Sequence, residues 1–233
     1  MERVVIIGGG PGGYESALVA SQLGADVTVV DTDGLGGSAV LTDCVPSKTL
    51  IATSELMADL ADAPELGVTF HDAEGDEATR VAVDLPRVNR RVKQLAADQS
   101  TDIGRHLDRD GVQVLVGRGR LRGPERVVVE LADGEERTLE ADAVLVATGA
   151  APRILDSAVP DGERILTWEQ VYDLAEVPSR MVVVGSVSPA PSSPAATCRS
   201  ASTSRWSPRA TGCCPARTPT PPRCSRTCSS AAA

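Results

Sequence analysis

What the chain lacks narrows its class before any motif is read. None of its apolar runs approaches the ~18 residues a membrane-spanning helix needs, so no span is expected. The N-terminus, MERVVIIGGG, has no basic leader region and no small-residue cleavage pattern, which points to a cytoplasmic protein. Positive charge is short: the formal net charge is −9, and general affinity for nucleic acid or an anionic membrane needs a basic face. Aromatic residues make up only 2% of the chain. With 233 residues, 42% of them hydrophobic, there is still enough length for one large or two small domains with their own cores.

Other absences are local. No Asp or Glu follows Glu176, so residues 1–186 carry 17 Lys+Arg against 32 acids, while 187–233 carry six Arg, no Lys and no acid. The same tail has no Leu, Ile, Met, Phe, Tyr, Asn, Gln or His. It holds five of the six cysteines (Cys198, Cys213, Cys214, Cys224, Cys228) and eight of the sixteen prolines. Such a segment builds no core and reads as disordered. The folding part is left with one cysteine, Cys44, which fits a reducing compartment.

What is present starts at the third residue. Arg3–Ile7 is a short β-branched run and predicts a buried strand. The run Gly8-Gly9-Gly10-Pro11-Gly12-Gly13 follows, then a helix over Tyr14–Leu23 closed by Gly24, then a strand over Ala25–Asp31 ending in an acid. Strand, glycine loop, helix, strand and acid within about thirty residues open a dinucleotide-binding fold. Gly8 permits the tight turn, Gly10 lets a pyrophosphate approach the backbone, and Gly13 lets the helix pack on the strands. The helix N-terminus offers N–H groups and partial positive charge to phosphates, and Asp31 is placed to accept hydrogen bonds from ribose hydroxyls. The competing reading is a plain βαβ turn.

Further along, an amphipathic helix is expected over Pro86–Arg109, with Val88, Val92, Leu95, Ile103 and Leu107 on its apolar stripe. Asp59–Glu77 reads as an acidic surface excursion. Val112–Val116 predicts a strand, Gly117-Arg118-Gly119 a turn, and Arg126–Leu131 with Arg137–Leu139 a hairpin about Asp133-Gly134. Ala143–Ala150 (AVLVATGA) predicts another buried strand, running into Thr148-Gly149. Trp168 and Tyr172 are expected in the core, and Met181–Ser186 as a strand running into glycine.

The stretch from Leu35 to Lys48, LGGSAVLTDCVPSK, resembles the flavoprotein disulfide reductases, the family of dihydrolipoamide dehydrogenase, glutathione reductase and mercuric reductase. Their version is GG-T-C-L-N-x-G-C-I-P-S-K. The glycine loop and the ATG of Ala147-Thr148-Gly149 add to the resemblance, which runs from about residue 2 to residue 186. It implies an α/β fold: a Rossmann-like FAD-binding domain with a β-hairpin excursion over 1–152, a crossover and the first strand of an NAD(P)-binding domain over 153–186, and the tail over 187–233. It implies FAD and NAD(P)H as cofactors and no metal. The FAD-binding positions it implies are Gly8, Gly10, Pro11, Gly13, Asp31, Gly36, Gly37, Ser38, Lys48, Gly119, Thr148, Gly149 and Ala150. Cys44 would lie beside the flavin and Lys48 near its N5 edge, as the catalytic pair. For Cys44 an inert buried thiol is the alternative, for Lys48 a solvated lysine at a helix start, and for Gly119 nothing more than a turn.

One departure is decisive. The family's first redox cysteine falls on Ala39, and a disulfide needs two sulfurs. The resemblance therefore narrows to a subgroup similar to the actinobacterial NAD(P)H:quinone reductases, in which electrons leave the flavin for a quinone-like acceptor. Intact relatives are expected to be homodimers, and the dimerisation domain is expected to be missing here. Competing functions are a non-catalytic FAD-binding fragment or pseudogene product, and a disulfide reductase using other cysteines.

The tail has a reading of its own. Codons for Ser186–Ala195 can be chosen so that one restored base after Ser186 yields S-G-V-T-G-A-E-F-A-S, which with Gly185 completes a second glycine motif. The same shift turns Ala201–Arg209 into L-D-V-T-L-V-S-S, a strand. Hydrophobic codons carry T in the second position, so out of frame they surface as Ser, Cys or Trp. A frameshift after Ser186 is therefore expected, with a genuine Arg/Ser/Pro tail as the alternative. The pair Cys213-Cys214 resembles the C-terminal pair of mercuric reductases, but as out-of-frame product it carries no role.

Overall fold

The structure, a computed structural model, describes residues 1–71 and 82–183 and the backbone of Ser202–Ser204. The chain divides into two compact units, Met1–Glu55 with Val83–Glu176, and Leu56–Ala82 with Val177–Ala233.

The first unit is built on a six-stranded sheet. Its strands are β1 (Arg3–Ile7), β2 (Asp26–Asp31), β3 (Gln113–Leu121), β4 (Arg126–Leu131), β5 (Glu136–Glu140) and β6 (Ala143–Val146), in the order β5-β4-β3-β2-β1-β6. β6, β1, β2 and the first half of β3 are parallel, with Val4 opposite Val27 and Ala143, and Thr28 opposite Gln113. From Gly117 onward β3 changes partner and pairs antiparallel with β4, which pairs antiparallel with β5.

The alternation along β1 explains the layers. Ile6 points to one face, where it packs with Ala17 of α1 (Pro11–Gln22), Ile103 and Leu107 of α4 (Leu85–Arg109), and Val27, Val29 and Val112. Val5 and Ile7 point to the other, against Val30, Leu115 and Val127 and Val129 of β4. A parallel sheet whose strands are covered on both faces reads as continuous apolar runs, which is how RVVII and DVTVVD read.

Most expected elements are where the pattern put them. α1 begins three residues before the expected Tyr14, because Pro11 at its first turn has the φ a helix needs and lacks only an N–H that would go unused. Its last turn closes with Gly24 N–H donating to Ser21 O and Ala25 N–H to Ala20 O. α4 is capped by the Asp84 carboxylate, which accepts from Arg87 N–H at 3.0 Å.

Several expectations need correction. Residues 117–119 are not a turn but the middle of β3; the residues flanked by glycine let β4 lie close, since a Cβ on Gly117 would stand 2.5 Å from Glu130 O. Gly119 packs on Ile7 and Val30 inside the sheet. The strand at 143 is not buried: it ends at Val146 and is an outer strand of the sheet, with Leu145 37% and Val146 55% exposed. On α4, Leu95 faces solvent, while the buried set is Leu85, Asn89, Val92, Ala96, Ile103 and Leu107. The excursion expected from Asp59 begins as the end of α3 (Cys44–Asp62), followed by a 3-10 turn over Ala63–Leu66; residues 72–77 of it lie outside the described residues. Tyr172 is buried as expected, but Trp168 is half exposed.

In the second unit, β7 (Met181–Val183) pairs antiparallel with β8 (Ser202–Ser204). Three residues of the tail thus form a strand, against the expectation of disorder, and the pairing is antiparallel rather than the parallel pairing of a βαβ unit. The remaining residues of the expected strand, 184–186, and the rest of the tail lie outside the described residues.

Candidate functional site

The carboxyl ends of three parallel strands meet at one edge of the sheet: β1 delivers Gly8, β2 delivers Asp31, and β6 delivers Ala147 and Thr148. The chain leaves β1 toward β2 on one side, and β6 joins on the other. This is the topological switch point at which open α/β sheets bind ligands.

Close backbone contact holds the three ends together. Gly8 N–H donates to Val30 O at 2.8 Å, and Ala147 N–H donates to Ile7 O at 2.8 Å. A Cβ on Gly13 would run into Gly8 O, so the first turn of α1 lies directly on the strand-end turn. α1 enters from Gly10 with no side-chain cap and no acidic residue in its first turn. Pro11 has no N–H, and Gly13 and Tyr14 N–H donate to Gly10 O, so the Gly12 N–H and the positive end of the dipole are what the turn offers an anion. A Cβ on Gly12 would meet nothing within 4 Å, which leaves the approach open.

The second glycine pair completes the cradle. Gly36 N–H donates to Gly9 O at 2.8 Å. Gly37 has φ +54°, and a Cβ there would stand 2.8 Å from Gly10 Cα. The loop before α1 and the loop before α2 (Gly37–Leu41) are thus in close backbone contact, which requires glycine at Gly37, whereas a Cβ on Gly10 would stand at an ordinary 3.9 Å from Gly37 Cα. Ser38 O then accepts from Thr42 N–H and Asp43 N–H, at 3.0 and 2.7 Å, so α2 turns directly into α3.

Cys44 opens α3 and is exposed, where the alternative reading placed a buried thiol. Lys48 lies one turn on, on the same face and also exposed. Ala39 sits on α2, and Cys44 is a free thiol. Gly119 lies in β3, where an added Cβ would meet Ile7 and Val30, at the carboxyl ends of β1 and β2. Thr148, Gly149 and Ala150 follow β6 and are exposed.

Two features escaped the sequence reading. Gly9 carries bonds to both loops through its N–H and its C=O; the signal was three consecutive glycines where the motif needs two. The crossover is tied to α4: Asn89 Nδ2 donates to Leu174 O at 2.9 Å, and Lys93 pairs with Asp173. Beside that anchor, burial first and the Asp43 charge second push the Tyr172 hydroxyl above its usual value. No group of three metal-ligating side chains occurs among the described residues, and no described helix is long and apolar enough to cross a membrane.

Residues 2–187 match the pyridine nucleotide-disulphide oxidoreductase family. The chain belongs to that family. Among its relatives, an NAD(P)H dehydrogenase (quinone) of Mycobacterium tuberculosis is 52% identical over 195 residues, covering 79% of this chain and 38% of that protein. A dihydrolipoyl dehydrogenase of Chlorobaculum tepidum is 38% identical over 182 residues, covering 78% of this chain and 37% of that protein. The crystal structure of LpdA from Mycobacterium tuberculosis matches with a TM-score of 0.68 at 51% identity, over 77% of this chain and 38% of that one. The chain thus spans under two fifths of the length of these pyridine nucleotide-disulphide oxidoreductases, and the glycine cradle, the Cys44 helix and the crossover all fall in the shared part.

Proposed function

We propose that the chain is the flavin-binding portion of an NAD(P)H oxidoreductase that passes electrons to a quinone-like acceptor without a redox disulfide. The observation that carries this reading is Ala39 on α2, where a dithiol enzyme of this family needs its first sulfur, with Cys44 left as a free thiol. The 52% identity to a protein named NAD(P)H dehydrogenase (quinone) supports the same acceptor class.

The residues present fit FAD. The uncapped start of α1, the open space at Gly12 and the Gly10–Gly37 contact make a cradle for a pyrophosphate. Gly8, Gly13, Gly36 and Gly37 shape it, Thr148, Gly149 and Ala150 close it from β6, and Lys48 would stand on the flavin side as a positive charge. When bound, FAD supplies the hydride acceptance from reduced nicotinamide and the electron delivery. This chain's own work is to bind, orient and provide that charge; Cys44 has no sulfur partner at the site and forms no bond in turnover.

The reading includes a statement about this polypeptide. Residues after Ser186 are out of frame, and the chain as it stands is not a competent enzyme. Reductive titration of the frame-restored protein tests the mechanism: two electrons per flavin are expected, and a four-electron endpoint would overturn it. Frame-restored protein that purifies colourless and takes up no FAD would remove the flavin reading altogether.

A further inference from the structure

The inner face of α4 is apolar except at one place. Leu85, Val92, Ala96, Ile103 and Leu107 are buried there, and so is Asn89, only 6% exposed. Its amide is half used. Nδ2 donates to Leu174 O at 2.9 Å, while Oδ1, also buried, accepts from no donor among the described residues. A buried acceptor without a donor costs at least what one hydrogen bond between neutral groups gains. A leucine at this position would therefore serve global stability as well or better, and core stability does not account for an asparagine.

What the asparagine holds is a weak segment. Leu174 follows a 3-10 turn over Glu169–Asp173, the part of the crossover that lies on α4. That turn closes on itself through Val171 N–H to Trp168 O at 3.3 Å and Leu174 N–H to Val171 O at 3.4 Å, both longer than an ordinary N–H to O bond. Tyr172 is buried, but apolar burial is non-directional and lets the turn slide along the helix. Lys93, one helical turn from Asn89, pairs with Asp173. Those two side chains are 55% and 64% exposed, so water and salt screen the pair. Two residues beyond Leu174 the chain reaches the end of the first unit, at Glu176.

We infer that Asn89 is a registry pin: it fixes where the crossover lies on α4, and so where the chain leaves the first unit, without adding to global stability. One directional bond from a buried amide sets a register that apolar packing leaves open, as single buried asparagines do between paired helices.

Residue-resolved amide exchange and thermal melts on the 233-residue chain test the pin. Asn89→Leu fills similar space and removes both polar atoms. It should leave the melting temperature unchanged or raise it, while the Val171 and Leu174 amides exchange about tenfold or more faster than in wild type and those of β1 and β2 keep their protection. Asn89→Ala adds no bulk and should release the same two amides. Lys93→Met, or raised salt, should change them by less than about threefold. Registry pinning is refuted if the two amides are unprotected in wild type, or exchange alike in wild type and both Asn89 variants. It is equally refuted if Lys93→Met releases them as far as Asn89→Leu does, or if Asn89→Leu lowers the melting temperature by more than about 4 °C, which would make Asn89 an ordinary support of the core.

Discussion

At the residue scale the site depends on atoms that are missing. Gly37 cannot take a side chain without moving Gly10, whose Cα would stand 2.8 Å from the new Cβ, and its φ of +54° adds strain. Gly37→Ala should therefore destabilise the unit by about 1–3 kcal/mol and weaken FAD uptake, read by flavin fluorescence quenching; unchanged affinity would contradict the cradle geometry. A second residue-scale prediction concerns pH. Asp142 is held at about 2, first by the Arg3 side-chain hydrogen bond and then by the Arg3 backbone N–H. This pair ties the start of β6 to the start of β1, with Arg3 N–H donating to Asp142 Oδ2 at 2.8 Å. Because the folded value lies below the ordinary 3.8, the stabilisation is fully present above about pH 4–5 and fades as pH falls toward 2. Both groups are solvent-exposed, so salt screens the effect. The stability gap between wild type and Asp142→Asn should shrink between pH 5 and pH 2 in thermal melts, and a gap that is constant or widens would be evidence against it.

At the element scale the two ends of the unit differ. α4 was legible in its span, within one residue of the expected Pro86–Arg109, while its Asp84 cap comes from the structure. Asp84→Ala should cost about 0.5–2 kcal/mol through the lost bond to Arg87 N–H, measured by urea denaturation with an unchanged slope. β6 read as buried, because its apolar run is the same as that of a central parallel strand. Yet among the described residues it pairs with β1 alone and leaves Leu145 and Val146 exposed. A strand with one free edge and bare apolar side chains invites association. Val146→Lys should raise solubility and reduce light scattering on heating without altering the circular dichroism spectrum.

At the scale of the whole molecule, the described residues of the tail contribute one three-residue strand, paired with β7. Among large apolar side chains, residues 187–233 hold Val187 and Trp206. Expression of the 233-residue chain should give protease-sensitive protein with no NAD(P)H oxidase or quinone reductase activity. Soluble yellow protein that turns over NAD(P)H would show that the tail is a working part of the molecule.

The sequence by itself determined what depends on local spacing. Glycines eight, ten and thirteen, the span of α4, the Asp133-Gly134 hairpin and the alanine at residue 39 are all consequences of neighbours along the chain. Tertiary structure decided what depends on partners far apart in sequence. It made Gly117–Gly119 a change of strand partner rather than a turn, because β4 packs there. It buried Asn89 against Leu174, 85 residues away. It turned Asp31 inward to three backbone N–H groups, one of them 22 residues upstream. A periodic pattern reports which face of an element is apolar; it carries no information on which distant segment arrives to cover that face or to claim a carboxylate's lone pairs.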